Sequence, residues 1–106
     1  MHEVIKTPQA IFDLVELADY IAKDSLDFAE RFLQAAEDTF TFLAQTPEFG
    51  QICPAPKAKE AGIRMRAVFG FRNHIVFYRA VAQGVVVVRV IHAARNWEAI
   101  LGDVGG

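Results

Sequence analysis

Apolar residues recur at three- and four-residue spacing through Ile11, Leu14, Val15, Ala18, Ile21 and Ala22, which predicts an amphipathic helix. Asp13, Glu16 and Asp19 fall mostly off that stripe. Thr7-Pro8 supplies a start, because threonine caps free amides and proline is tolerated in a first helical turn. Lys23-Asp24-Ser25 interrupts the pattern, and Asp24 or Ser25 can cap a second helix whose stripe is Ala29, Phe32, Leu33, Ala36, Phe40 and Leu43. Thr46 to Gly50 ends it with a proline and a glycine. So short a link between two helices predicts an antiparallel hairpin. Gln51 to Gly62, with Pro54, Pro56 and Gly62, reads as a loop.

Beyond Gly62 the period changes to two. Ile63–Phe69, His74–Val81 and Val85–His92 are rich in valine, isoleucine and aromatics, with turn residues at Gly70 and Gln83-Gly84. They predict an antiparallel meander whose apolar face the helical hairpin covers. Met1 to Lys6 can add an edge strand, Asn96 can cap a short final helix to Leu101, and Gly102 to Gly106 is expected to fray. The expected architecture is one α+β domain over residues 1–106. It has an N-terminal antiparallel helical hairpin on a three- to four-stranded antiparallel sheet, and a short C-terminal helix.

Composition changes this picture little. A hydrophobic content of 53% with nine phenylalanines gives a core and argues against disorder. Cys53 is the only cysteine, so no internal disulfide forms and no cysteine spacing suggests a metal site. No metal or cofactor is expected. The first six residues lack the apolar core of a secretory signal, and Val85–Val88 is far too short to span a membrane. These features fit a cytoplasmic chain that does not enter the membrane. Charge is more informative. The net is −2, yet residues 1–50 hold three basic against ten acidic residues, a balance of −7, and residues 51–106 hold eight against three, a balance of +5. Either the two halves pair with each other, or the molecule presents a cationic face to a polyanion or acidic protein.

Thr7-Pro8-Gln9-Ala10, Asp13-Leu14, Tyr20-Ile21-Ala22, Asp24-Ser25, Ala29 and Arg31-Phe32-Leu33 resemble the helical hairpin of RelE/ParE toxins. Leu43 with Pro47 to Gly50 resembles the close of its second helix. His74-Ile75-Val76-Phe77-Tyr78-Arg79, then Val85 to His92 and Arg95, resemble its central and last strands. The resemblance spans residues 4 to about 100. It implies the toxin of a type II toxin–antitoxin pair, bound in a hetero-oligomer by a cognate antitoxin, usually a ParD-like ribbon-helix-helix protein. Operator DNA would be met only through that antitoxin. In the ParE branch the toxin poisons DNA gyrase; in the RelE branch it cuts mRNA in the ribosomal A site without a metal. A non-toxic interaction module is a third reading.

Metal-free RNA cleavage needs a base, an acid and cations for the phosphate. His92, Arg95, Arg89 and His74 are the candidates, with Arg64 and Arg66 in support. RNA-cleaving members usually place a tyrosine or histidine after the last strand, whereas here Ala93 to Leu101 has neither, and Tyr20 and Tyr78 lie on other elements. The basic arm is thin, with Lys57 and Lys59. That departure favours the ParE branch and binding over catalysis. Target-contact candidates are Arg64, Arg66, Arg89, His92, Arg95 and Trp97. Each has a structural alternative. His92 can be a half-buried strand residue bonded to backbone, and a three-residue turn at Ala82 to Gly84 would set His74 opposite it. Arg79 and Arg89, on apolar strands, need a carboxylate from the helices or an exposed position. Arg64 and Arg66 share a strand face, as a solvated edge or as a contact for the antitoxin or the target. Trp97 either packs over the sheet end or anchors an interface. Cys53 has no base partner and reads as inert. With no partner bound, apolar surface should remain exposed.

Overall fold

The structure, a computed structural model, describes residues 2–102; the tail expected to fray lies outside them beyond Gly102. Thr7 begins the first helix, α1 (Pro8–Ala22): its Oγ1 accepts from the Ala10 N–H at 3.0 Å and donates to the Val88 carbonyl at 2.8 Å. One side chain thus caps the helix and ties it to a strand far along the chain. Ser25 caps α2 (Leu26–Gln45) by accepting from the Phe28 N–H, and a 3₁₀ turn, Pro47–Phe49, closes it. The two helices form the expected hairpin.

β1 (Glu3–Lys6), β2 (Gln51–Ile52), β3 (Arg64–Val68), β4 (Phe71–Val81) and β5 (Gly84–His92) make one sheet in the order β1-β5-β4-β3-β2. The β3–β4–β5 meander is present. The sheet is nevertheless wider than the expected three or four strands, and it is not wholly antiparallel: β1 runs parallel to β5, from Glu3 opposite Gly84 to Lys6 opposite Val87. A Cβ at Gly84 would collide with the Glu3 backbone, so glycine is required where the two strands meet. The expected loop at residues 51–62 also holds structure, namely β2 and a single-turn helix, α3 (Pro56–Glu60). The C-terminal helix, α4 (Trp97–Leu101), is capped by Asn96, whose Oδ1 accepts from the Ala99 N–H.

Each face of the sheet is covered. Phe32, Ala36, Phe40 and Leu43 of α2, with Ala10 and Leu14 of α1, pack on Val68, Val76, Tyr78, Val85, Val87 and Val90. On the other face Phe77, Val88 and Ile91 meet Ala58 of α3 and Leu101 of α4. Tyr78 is fully buried, and its hydroxyl donates to the Pro47 carbonyl at 2.7 Å and accepts from the Gly50 N–H at 2.8 Å. The Pro47–Gly50 segment is therefore bolted to the middle of the sheet, with no space for a Cβ at Gly50.

The β4–β5 hairpin turns over two residues, Ala82 and Gln83, because Val81 pairs with Gly84. Of the turn lengths the sequence allows, the three-residue one is not formed. A two-residue turn alone would offset the two histidines by one position, but the register slips at Val88, between Tyr78↔Val87 and Phe77↔Arg89, and restores His74 opposite His92. The same bulge puts Val88 and Val90, two positions apart, on opposite faces of the sheet, with Val88 in the second cluster and Val90 in the first.

Candidate functional site

The β5 bulge carries a polar cluster. Asp13 projects from α1 toward β5 and is 8% exposed, on the core side of the helix and not off the apolar stripe as expected above. Arg89 donates to it twice, Nε to Oδ2 at 2.7 Å and Nη2 to Oδ1 at 2.9 Å, and the Val90 N–H donates to Oδ2 at 3.0 Å. The carboxylate thus satisfies a buried guanidinium and a strand amide at the bulge. The helical carboxylate expected for Arg79 or Arg89 serves Arg89; Arg79 stands exposed instead.

Around this pair opens a polar cavity of about 200 Å³, lined by Gln9, Glu16, Arg89, His92 and Arg95. Three of the four catalytic candidates therefore meet. Their chemistry is largely committed, however. The charge of Arg89 is matched by Asp13, and Glu16 lines the same cavity, so a phosphate there would face two carboxylates. His92 is half-buried, and its Nδ1 accepts from the Ala94 N–H at 3.0 Å, the backbone bond expected of a structural histidine. Arg95 is exposed.

His74, the fourth, lies on the other side of His92, ring centroids 5.0 Å apart, and packs on Phe32 at 4.9 Å and Phe71 at 6.3 Å. Its Nδ1 is buried without a hydrogen-bond partner among the described residues. Burial, and secondarily the neighbouring His92, push its pKa below the ordinary 6.5. A base whose folded pKa is depressed stabilises the fold above its unfolded pKa, and that stability is lost as pH falls from about 6.5 toward the folded value. Urea melts at pH 7.5 and 5.5 should accordingly show a loss in the wild type that is smaller in His74→Phe. Equal losses in both would remove His74 as the source.

The remaining candidates are scattered. Arg64 donates through Nη1 to the Gly50 carbonyl at 2.8 Å and holds the 3₁₀ segment, while the Arg66 guanidinium stacks 4.3 Å from the centre of the Phe49 ring. Trp97 packs on Phe77 with ring centroids 5.5 Å apart, the structural alternative for that residue. Burial raises the pKa of Cys53, which keeps the thiol protonated and unreactive. The tyrosine Tyr78 is enclosed and its hydroxyl fully engaged. Among the described residues no group of three or more metal-ligating side chains occurs, and no helix is long and apolar enough to cross a membrane.

Few ion pairs join the acidic and basic halves of the chain. Among the described residues the salt bridges are Lys6–Glu37, Arg31–Asp27 and Arg89–Asp13, and only the last joins the acidic and basic halves. Mutual neutralisation of the halves is thus limited to one buried pair. A second feature is apolar. Ile11, Phe12 and Val15 of α1 are each about half exposed, although Ile11 and Val15 belong to the stripe that predicted the helix. With Leu33 of α2, Ile11 and Val15 border a groove of about 530 Å³ along the hairpin, which Lys6 and Glu37 also line. Two of the six stripe residues of α1 thus face outward, as on a surface that lacks its partner.

The model of the family described as "ParE toxin of type II toxin-antitoxin system, parDE" matches residues 4–97. Among solved structures the chain is similar to one titled "Chromosomal ParDE TA system from P. aeruginosa", with a TM-score of 0.69 and 17% identity over 87% of this chain and 96% of that one. At that identity the likeness concerns the fold. No functionally curated protein matches the chain by sequence.

Proposed function

Because this chain belongs to the ParE toxin family of type II toxin–antitoxin systems, we propose that it arrests growth by binding DNA gyrase in the cytoplasm and is silenced by a ParD-like antitoxin seated on its helical hairpin. The observation that carries this reading is the outward apolar arc of α1 and the groove beside it, which no other described residue fills and which suits an amphipathic helix. A ribbon-helix-helix antitoxin would also bring the complex to operator DNA. Inhibition by binding is supported by the state of the acid–base candidates: Arg89 is neutralised by Asp13, His92 is bonded to backbone, and the Tyr78 hydroxyl is buried. Arg89 and Tyr78 are thereby withdrawn from proton exchange with the 2′-hydroxyl of an RNA, and one of the two ring nitrogens of His92 is occupied.

A supercoiling assay with purified gyrase, run beside mRNA cleavage on translating ribosomes, tests the reading. The expected result is lost supercoiling with intact mRNA. Cut mRNA with active gyrase would overturn it and turn attention to the cavity of His92 and Arg95. A chain that on induction leaves growth untouched would be a non-toxic interaction module.

A further inference from the structure

The strand β2 contributes only Gln51 and Ile52, and the edge of β3 stays uncovered beyond it. The direction of the free backbone groups follows from the ladder. The Ile63 carbonyl accepts from the Cys53 N–H, so Ile63 points toward the β2 side. Main-chain groups alternate along a strand, so Met65 and Ala67 point the same way. Met65 is opposite Gln51. The residue that would continue the register opposite Ala67 is Phe49, but it is folded into the 3₁₀ turn, with its N–H on the Thr46 carbonyl. The N–H and C=O of Ala67 therefore face an open edge. On the sheet face beside this edge lies a cleft of about 220 Å³, lined by Gln51, Met65, Arg66, Ala67 and Ile75.

The surroundings of this gap carry their own chemistry. Arg66 is exposed and stacked on the exposed Phe49, and Phe49 continues through Phe42 to the exposed Phe69, with centroid spacings of 4.9 and 5.5 Å. Ile52 is exposed beside them. Neither Arg64 nor Arg66 forms an ion pair among the described residues; Arg64 bonds to the carbonyls of Gly50 and Glu48. An aromatic–arginine cluster next to unpaired strand groups offers backbone pairing, apolar contact and a guanidinium at one place. The hairpin groove, by contrast, is lined in part by Lys6 of β1, at the opposite edge of the sheet, roughly 19 Å away at ~4.8 Å per strand.

We propose that the open edge of β3 at Ala67, with Arg66 and Phe49, takes up an extended acidic and apolar segment of the toxin's protein target, which adds a short strand where β2 stops. This rests on the toxin reading above but not on gyrase being the target. The exposed Arg66 selects an acidic segment, and the distance from the groove leaves the edge open to a partner other than the one on the hairpin.

Two substitutions test it in the full chain. Arg66→Glu reverses the charge, and Ala67→Pro removes an outward N–H at a position where an edge strand tolerates proline. Both proteins are expected to melt close to the wild type and to bind antitoxin with unchanged affinity. Each should require roughly tenfold more inducer to arrest growth, as the loss of one good contact implies. Full toxicity of Arg66→Glu would overturn the proposal even if Ala67→Pro failed to fold. Loss of antitoxin binding together with toxicity would assign the edge to the antitoxin and equally overturn it. A wild type that arrests growth with supercoiling intact would remove gyrase alone, leaving the edge to be judged by the two variants.

Discussion

Asp13→Ala should destabilise the protein by roughly 3–5 kcal/mol, the cost of stripping one partner from a buried ion pair. The substitution leaves the Arg89 guanidinium, whose side chain is 16% exposed, and the Val90 N–H at the bulge without an acceptor. For a chain of this size that corresponds to a fall in Tm on the order of 10–20 °C, readable by calorimetry. A cycle with Arg89→Met separates this pair from generic damage. The double variant Asp13→Ala/Arg89→Met should be more stable than Asp13→Ala alone, because no unpaired charge remains inside. A loss below about 1 kcal/mol in Asp13→Ala, or simple additivity in the cycle, would show that the pair behaves as a surface salt bridge.

The second large effect is expected at the hairpin. Ile11→Asp combined with Val15→Asp should weaken antitoxin binding by a factor on the order of a hundred or more. Each apolar side chain contributes about 1.5–3 kcal/mol when fully buried against a partner, and ~1.4 kcal/mol is tenfold. Both residues are half exposed in the chain alone, so folding should be nearly unaffected. Titration calorimetry with the purified antitoxin reads the affinity, and co-expression reads the consequence: the variant should arrest growth even with antitoxin present. If the antitoxin still protects the cell fully, its seat is elsewhere and the reading of the groove is wrong.

The helices and the meander were legible because their periods are local. Ala29, Phe32, Leu33, Ala36, Phe40 and Leu43 state a helix without reference to any other segment, and Val85 to Ile91 states a strand. What the sequence concealed depends on pairing across the chain. β1 has four residues, and its parallel partner is about eighty positions away, so no hairpin spacing announces it. The Val88 bulge is a mismatch between two strands and has no signature in either one. For Asp13 a signal was present. It lies three residues after Ala10 and four before Leu17, both of which pack toward the sheet, so the helical period places it on the core side among them. The outward arc of Ile11 and Val15 masked this by widening the apolar stripe past what one core needs. Of the site candidates, the proximity of Arg89, His92 and Arg95 was foreseeable from their strand, but the commitment of Arg89 to Asp13 was not.

The union of β1 with β5 also orders events in time. Thr7 and Val88, which share a hydrogen bond, are separated by 81 positions. A ribosome adding ~5–20 residues per second leaves an interval of about 4–16 s between making one and making the other. The hairpin is complete only once Gln45 has been made, 43 positions before Val88, so for about 2–9 s it lacks the strands that back it, and both its inner and its outer apolar faces meet water. On the seat proposed for it above, antitoxin already present in the cell would engage the nascent helices before the sheet that completes the toxin has been translated.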